Sequence, residues 1–406
     1  MAKVPPIPLE EAQARLLDLA GPLPTEHVDI EGSVGRYLAE PLLARRTQPA
    51  ADLSAMDGYA VAADDFAGPW QVVGESAAGH PYSGEVRKGQ AIQVSTGALL
   101  PAGAASVILQ EDLARKDHEI TLTGEAPMPA HKHIRPCGLD FRQGSEVIAS
   151  GSLIGPADAA LAIAAGHKHL PVCRKPRVTV IDSGDELSSD PEACAPHQIP
   201  ASNGAMLLAM ARKLPVNAER SGPVADTLDA LINAFDMANH ADVIVTSGGA
   251  SVGEHDLVRP ALEAWGASLD FWRVAIKPGK PILVARRERR TGPQIVIGLP
   301  GNPVSSFVTA YHFMLPLLRR MLGARYALPM RIATRLGAPI RANGGRREFV
   351  RGIWNGEFVV PHTLQDSGAL SALAASNVLI DRPARAPEGA EGDEVRVFLL
   401  QNGGIA

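Results

Sequence analysis

The sequence predicts a multidomain α/β protein that is organised around a doubly wound parallel sheet. Three short apolar runs are typical of strands buried on both faces: Arg177–Ile181, Val243–Val245 and Gln294–Ile297. Helical periodicity accompanies these runs, over residues 203–213, 224–239, 255–265 and 304–321. Strands that alternate with helices in this way predict a parallel sheet covered by helices on both faces.

Composition and charge limit the classes of protein and of partner. The chain has 406 residues, of which 46% are hydrophobic and 20% charged, so several soluble domains are expected. A net charge of -5 argues against a nucleic-acid partner, and the absence of an 18-residue apolar run argues against a membrane partner. Three scattered cysteines without a CxxC pair indicate a reducing compartment, and the first residues lack a signal-peptide core. We therefore expect a cytoplasmic protein.

The first third of the chain predicts a domain that is interrupted by an insertion. Residues 9–20 have the periodicity of an amphipathic helix, which Gly21 and Pro22 end. Between residues 52 and 140, short strand-like runs alternate with Gly and Pro turns, as in a β-rich module. An alanine-rich helical stretch follows. The sequence thus predicts one discontinuous domain from residues 1–48 and 142–174, around a β-rich insertion at residues 49–141.

The remaining chain predicts two further domains. Residues 175–327 contain the three apolar runs and form the α/β domain. The periodicity changes after Gly323, and four strand candidates follow with no long helix between them. Residues 328–406 are therefore expected to form a separate C-terminal β domain.

The loops that follow the three apolar runs predict a binding site. In parallel sheets, ligands bind beside the carboxyl ends of the strands, so Glu186, Ser247, Asp256 and Asn302 are expected to share one crevice. Paired glycines at 248–249 leave backbone amides free to hold an anion. Neither G-x-G-x-x-G nor GxxxxGK[ST] occurs in these loops, so neither a dinucleotide fold nor a P-loop is supported.

Several of these residues also have an ordinary structural interpretation. Asp57 is followed by glycine and fits an Asx-turn, while Glu186 and Asp226 are placed to cap helices. The stiff loop Lys277–Pro281 presents two ammonium groups, which suits an anion but also fits a solvated basic turn. The basic run Arg286–Arg290 is expected to be a solvated hairpin tip.

Six motifs in order carry a resemblance to a known family. They are SAMDGYA, STGALLPAGA, DSGDEL, TSGGASVGEHD, KPGKP and GLPGNPVS. With them the chain resembles the molybdopterin molybdenumtransferase family, which includes the C-terminal half of gephyrin-type proteins. The resemblance implies that the α/β domain binds molybdopterin, that the discontinuous domain is elongated and that the C-terminal domain is β-barrel-like. It also implies a homodimer in which the insertion of one subunit closes the cleft of the other.

The resemblance also implies a reaction and its partners. Molybdate, the co-substrate, is inserted into adenylylated molybdopterin with Mg²⁺ as cofactor, and AMP and molybdenum cofactor are released. Transfer contacts with molybdopterin adenylyltransferase and with molybdoenzymes are implied as well. Two functions stay as alternatives. An adenylyltransferase needs only the α/β domain, and a non-catalytic dimeric scaffold would have no use for convergent acids. The sequence does not distinguish molybdate from tungstate.

By resemblance, each motif contributes site residues. The catalytic residues implied are Asp57, Thr96, Glu186, Asp226, Asp256 and Lys277. Of these, Glu186, Asp226 and Asp256 are implied to hold the metal ion. The substrate-binding residues implied are Ser247, Gly248, Gly249, Ser251, Gly253, Arg273, Lys280, Pro300, Gly301, Asn302, Arg351 and Ser367.

Four positions depart from the family pattern. Ala201 stands where the family often has an acid, and Leu139 stands where GED is common. Ser183 replaces a threonine, and Arg273 occupies a position where lysine is also found. The missing acid at Ala201 is expected to weaken metal binding or to change substrate handling.

Overall fold

A computed structural model describes residues 5–62, 66–248 and 257–400 of the chain. Its α-helices are α1 (Leu9–Asp18), α2 (Ile30–Ser33), α3 (Pro156–Ala164), α4 (Ser202–Ala211), α5 (Leu228–Met237), α6 (Val258–Ala264), α7 (Pro303–Thr309), α8 (Leu315–Met321) and α9 (Leu370–Ala374). The strands before residue 175 are β1 (Thr25–Asp29), β2 (Leu42–Leu43), β3 (Leu53–Ser54), β4 (Gly58–Ala62), β5 (Trp70–Ser76), β6 (Gln90–Val94), β7 (Ala104–Leu109), β8 (Leu113–Lys116), β9 (Glu119–Leu122), β10 (Ile134–Arg135), β11 (Glu146–Ile148) and β12 (His169–Cys173).

The later strands belong to the α/β and C-terminal domains. They are β13 (Arg177–Ser183), β14 (Leu187–Ser188), β15 (Ile199–Pro200), β16 (Asn217–Val224), β17 (Val243–Ser247), β18 (Ser268–Trp272), β19 (Ile276–Lys277), β20 (Leu283–Arg287), β21 (Gln294–Leu299), β22 (Ile332–Leu336), β23 (Arg347–Trp354), β24 (Phe358–Pro361), β25 (Val378–Arg382) and β26 (Glu394–Leu399).

The central sheet confirms the predicted α/β fold. Its strand order is β16-β13-β17-β21-β20-β18, and the first four strands are parallel. One face packs against α4, α7 and α8, and the other packs against α5 and α6. Two antiparallel strands, β20 and β18, extend one edge of the sheet, which the sequence did not predict. The opposite edge strand β16 was also missed, because its residues are largely polar and lack an apolar alternation.

Two helix predictions needed correction. The helix expected from residue 224 begins at Leu228, where the Thr227 hydroxyl accepts a hydrogen bond from the Ala230 amide. Thr227 is therefore the cap, and the prediction that Asp226 caps this helix was wrong. The single helix expected over residues 304–321 is divided into α7 and α8 by a π-helical turn, Ala310–Met314.

The chain leaves the first domain and returns to it. Strand β1 pairs with β12, and β2 pairs with β11, so segments on either side of residues 49–141 are joined. Between them lies a six-stranded sheet of order β7-β4-β6-β5-β9-β8 and the short pair β3–β10. This pairing explains how a β-rich module can be inserted without breaking the flanking domain.

The C-terminal strands close into a barrel, as the predicted fold class requires. Strands β23, β24, β22, β26 and β25 pair in that order, and β25 pairs back with β23. Strand β19 of the α/β region pairs with β23 and ties the barrel to the loop that contains Lys277. Within the described ranges, no helix is long and apolar enough to cross a membrane.

Candidate active site

A cleft of about 780 Å³ lies at the carboxyl ends of the parallel strands. Its floor is formed where β13, β17 and β21 end, so the loops after all three strands contribute to it. The implied site residues that line it are Glu186, Asp226, Ser247, Gly248, Pro300, Gly301 and Asn302. The implied residues Gly249, Ser251, Gly253 and Asp256 lie outside the described ranges. Parallel-strand topology thus brings together loops that are more than 100 residues apart in sequence.

Asn203 joins two of these loops, although the sequence analysis gave it no role. Its amide nitrogen Nδ2 donates to the Ser247 hydroxyl at 2.9 Å and to the Gly301 carbonyl at 2.7 Å. Asn203 belongs to the first turn of α4, and residues 201–203, which include the N-cap residue Ala201, line the cleft. Ala201, at the N-cap position, has no side chain that could cap this helix, and the Gly204 amide in its first turn bonds to the buried Asp182 carboxylate.

Gly248 is required at the end of β17. Its backbone has φ of +105°, and a Cβ atom there would lie 2.5 Å from the Ser183 carbonyl oxygen. The Gly248 amide also donates to the Leu299 carbonyl at 3.2 Å. Because only glycine fits this close approach, Gly248 itself is held against the ends of β13 and β21.

Carboxylates gather at one rim of the cleft. The Asp226 amide donates to Asp185 Oδ1 at 3.1 Å, and Glu186 lines the cavity beside them. Burial raises the pKa of Asp226, and the negative charges of Asp185 and Glu186 raise it further. The described residues contain no group of three or more His, Cys, Asp or Glu side chains that could hold a metal ion. The rim nevertheless offers carboxylate oxygens, the donors that Mg²⁺ prefers.

A buried ion pair lies beneath the floor. Asp182 is fully buried, and its Oδ2 accepts from Arg220 Nε at 2.8 Å. Arg220 also donates to the Ala201 carbonyl at 2.7 Å, which links β16 to the start of α4. Burial raises the pKa of Asp182, although Arg220 opposes this effect. Asp182 was not among the predicted site residues, since its only signal in the sequence is its position as the first acid of DSGDEL.

The barrel supplies a further wall. Asn302 Nδ2 donates to the Ser367 hydroxyl at 3.2 Å, and the Val304 amide donates to the Ser367 carbonyl at 3.0 Å. Gly368 and Leu370 line the cleft next to Ser367. Ser367 does not line the cleft itself, but its hydrogen bond places it next to the lining residue Asn302.

Arg351, which the resemblance implies to bind substrate, is buried among protein groups. It is only 1% exposed, and its guanidinium donates to the carbonyls of Asp366 at 2.9 Å and Ala369 at 3.2 Å. Its Nε also lies 3.4 Å from Gln365 Oε1. Burial lowers its pKa. Arg351 does not line the cleft, and its contacts hold the loop that contains Ser367.

The three basic residues that the resemblance implies in the α/β domain, Lys277, Lys280 and Arg273, do not line the cleft either. Lys277 Nζ pairs with Glu348 Oε1 at 2.7 Å and is 56% exposed, and Lys280 is exposed. Arg273 has φ of +78°, and its amide donates to the Ile282 carbonyl at 3.1 Å. The stiff loop Lys277–Pro281 was expected to present its two ammonium groups to an anion; in the structure Lys277 pairs with the barrel carboxylate Glu348, and neither lysine lines the cleft.

Asp57 and Thr96 lie together in the insertion. Asp57 Oδ1 accepts from the Thr96 amide at 2.6 Å and from the Thr96 hydroxyl at 2.9 Å. The Thr96 amide, followed by the hydroxyl, lowers the pKa of Asp57. Both residues are exposed, and neither lines the cleft of its own chain.

Comparison with known proteins places this geometry in a family. Residues 7–166 match the family described as MoeA N-terminal region (domain I and II), residues 179–320 match the probable molybdopterin binding domain, and residues 333–400 match the MoeA C-terminal region (domain IV). A molybdopterin biosynthesis moeA protein from Pyrococcus horikoshii OT3 has a similar solved structure. Its TM-score is 0.84 at 29% identity, over 97% of this chain and 100% of that one.

Curated relatives match over nearly the full length. Molybdopterin molybdenumtransferase of Haemophilus influenzae is 32% identical over 92% of this chain and 93% of its own length. The protein of the same name from Staphylococcus aureus strain N315 is 30% identical over 98% of this chain and 96% of its own length. With this coverage and the three domain matches, the chain belongs to the molybdopterin molybdenumtransferase family.

Proposed function

We propose that this protein inserts molybdate into adenylylated molybdopterin, with release of AMP and molybdenum cofactor. The observation that carries the proposal is the cleft in which Glu186, Asp226, Ser247 and Asn302 meet. Relatives named molybdopterin molybdenumtransferase, aligned over more than nine-tenths of the chain, support this substrate class. Molybdate and a phosphoanhydride are both anions, and the cleft combines free amide groups with a carboxylate rim.

The two sides of the cleft suit different parts of such a substrate. Ser247 and the first turn of α4 present hydroxyl and amide donors, which suit the terminal phosphate of the pterin. Asn302 and Ser367, joined by a hydrogen bond, offer donors to an oxyanion on the barrel side. Because Asn203 fixes Ser247 relative to Gly301, it would keep these two sides at a constant separation.

The carboxylate rim fits Mg²⁺. Repulsion between Asp226, Asp185 and Glu186 would be relieved by a cation, and Mg²⁺ binds through one or two carboxylates while keeping several waters. We propose Glu186 and Asp226, together with Asp256, as the residues that hold it. When bound there, Mg²⁺ would neutralise charge on the phosphoanhydride of the substrate.

The proposal includes a homodimer in the cytoplasm. Asp57 and Thr96 are paired but lie outside the cleft of their own chain, so a second subunit would have to bring them there. Three free cysteines suit the reducing cytoplasm. Transfer of the product to molybdoenzymes, and receipt of substrate from an adenylyltransferase, are part of the same proposal.

The deciding experiment supplies adenylylated molybdopterin, molybdate and Mg²⁺ and measures released AMP and active cofactor. Asp226→Asn should abolish most turnover, whereas Asp229→Asn, an exposed acid in the first turn of α5, should leave it unchanged. A separate arm supplies ATP and molybdopterin. Product in that arm alone would support the adenylyltransferase, and substrate binding without turnover in either arm would support a scaffold.

A further inference from the structure

Three arginines surround one aspartate at the amino end of the central sheet, the end opposite the cleft. We call Arg174, Arg177, Asp242 and Arg289 the amino-edge cluster. Arg177 begins β13, Asp242 immediately precedes β17, and Arg289 follows β20. At about 3.3 Å per residue, the length of β13 separates this cluster from the cleft by on the order of 20 Å.

One arginine satisfies the carboxylate at the centre of the cluster. Arg174 donates to both oxygens of Asp242, at 2.7 Å and 2.9 Å, and the Arg177 amide donates to it at 2.8 Å. Burial opposes ionisation of Asp242, but the hydrogen bonds from Arg174 and from the Arg177 amide lower its pKa. The bidentate pair and the further amide together satisfy Asp242. They join the segment between β12 and β13, which contains Arg174, to the start of β17.

The other two guanidinium groups are in excess of this tie. Arg177 Nη2 lies 3.6 Å and Arg289 Nη2 lies 3.9 Å from the same Asp242 oxygen, distances too long for hydrogen bonds. The Nε atoms of both arginines are buried without a hydrogen-bond partner among the described residues. Arg289 is 11% exposed and its Nη1 donates to the Asn239 carbonyl, so its remaining donors lie in a confined space. Unsatisfied buried donors are costly, and a structural tie gives no reason for two of them.

The charge around the cluster is strongly positive. Besides its own arginines, the two segments 174–177 and 286–290 contain Lys175, Arg286, Arg287 and Arg290, against the single acid Glu288. The whole chain has a net charge of -5, so this edge differs in sign from the protein average. The run at 286–290 was expected to be a solvated hairpin tip. The run does lie at the turn of the β20–β21 hairpin, but two of its arginines are not simply solvated: Arg289 is 11% exposed, and Arg287 stacks 3.9 Å over the Trp265 ring and bonds Asn239 at 3.0 Å.

We propose that the amino-edge cluster is a second anion site, which binds the phosphate group of a small molecule. Guanidinium groups match the geometry of phosphate oxygens, and the Nη2 atoms of Arg177 and Arg289 lie 3.6 Å and 3.9 Å from the same Asp242 oxygen without a hydrogen bond to it. The limited exposure of Arg289 and Arg174 favours a single small oxyanion over an extended polymer. The site does not depend on the reaction in the cleft.

Isothermal titration with inorganic phosphate at constant ionic strength tests this site. Arg177→Gln, which changes a partly exposed side chain, should weaken phosphate binding about ten- to a hundred-fold, the loss expected for a hydrogen bond to a charged group. Arg289→Gln should give a similar loss. Arg259→Gln is the matched control, because Arg259 is a similarly exposed arginine that pairs with Glu263 on α6. It should leave the affinity unchanged.

Further arms separate the cluster from the cleft and identify the ligand. Asn203→Ala alters the cleft and should preserve the phosphate binding that Arg177→Gln removes. AMP is titrated beside inorganic phosphate, and tighter binding of either identifies the source of the phosphate group. Identical phosphate isotherms for the wild type and Arg177→Gln would overturn the proposal. Binding of a glutamate peptide without binding of phosphate or AMP would also overturn it, in favour of a protein partner.

Discussion

Asp57 and Thr96 meet at a single oxygen atom, Asp57 Oδ1, which accepts both the amide and the hydroxyl of Thr96. The two residues are 39 positions apart, but β4 and β6 pair so that Gly58 lies opposite Val94. This register places the residue before β4 next to the loop after β6. The pair is therefore a prearranged unit at one end of the insertion sheet, and its acid is held in the ionised form.

The first prediction concerns this pair. Thr96→Val should raise the pKa of Asp57 toward its usual value, because the hydroxyl donor is lost while the amide donor is retained. A lowered pKa favours folding above the usual value of 3.8, and that contribution is lost as the pH falls through the folded pKa. NMR titration of the Asp57 carboxyl group measures the change. Thr96→Ser keeps the hydroxyl and should match the wild type, and an unchanged pKa in Thr96→Val would contradict the role of this bond.

The sequence predicted the parts of the fold that depend on buried apolar runs. Strands β13, β17 and β21 are buried on both faces, so their Val and Ile residues identified them. Strand β16 was missed because an edge strand does not need apolar residues. Arg289 was misjudged because a run of charges resembles a solvated loop, whereas its environment depends on the distant residue Asp242.

The site was predictable only in part for a similar reason. Motif order placed Glu186, Ser247 and Asn302 in the loops that form the cleft. Asn203 and Asp182 were not recognised, because their importance comes from partners that only the folded chain brings near. A neutral amide such as that of Asn203 also has no charge pattern by which a sequence could reveal it.

The second prediction concerns Asn203. Asn203→Ala removes hydrogen bonds to Ser247 and Gly301, so the two loops should become less well fixed. We expect the binding free energy of adenylylated molybdopterin to fall by about one to two kcal/mol, which is a factor of about five to thirty in affinity. Titration with adenylylated molybdopterin measures it. Asn233→Ala, at an exposed position on α5, is the control and should bind normally. Equal affinity in both variants would show that Asn203 does not organise the cleft.

The third prediction concerns the ion pair beneath the cleft. Arg220→Met should leave the buried Asp182 carboxylate without its partner, at a cost of about 3–5 kcal/mol in unfolding free energy. Without Arg220, the already raised pKa of Asp182 should rise further. A raised pKa in a carboxyl group penalises folding above that pKa, so the deficit should shrink as the pH is lowered toward 3.8.

Urea unfolding at several pH values measures this deficit. Arg212→Met is the control, because Arg212 is an exposed arginine of the same domain that bonds only a backbone carbonyl among the contacts described, that of Ala218. It should cost little at any pH. A deficit in Arg220→Met that is the same at neutral and acidic pH would mean that the charge of Asp182 is not its cause.

The fourth prediction concerns Lys277 and its partner Glu348. If Lys277 binds the oxyanion, Lys277→Ala should weaken molybdate binding by about 1.5–3 kcal/mol, roughly ten- to a hundred-fold. Lys280→Ala should have a smaller effect, and added salt should lower the affinity of the wild type by screening. Lys277 is 56% exposed and Glu348 is 18% exposed, so solvent screens the ion pair in part and its loss should change the unfolding free energy by on the order of 1 kcal/mol.

Glu348 provides the sharper test, because it competes with the oxyanion for the same ammonium group. Glu348→Gln removes the competing charge and leaves Lys277 in place, so molybdate affinity should rise in this variant while it falls in Lys277→Ala. If Lys277 and Glu348 only join β19 to β23, a different result is expected: both variants should lose a little stability, and neither should change the molybdate titration. Opposite signs in the two titrations would therefore assign Lys277 to the oxyanion. Unchanged affinity in both would remove the Lys277 loop from the mechanism and leave oxyanion binding to Asn302 and Ser367.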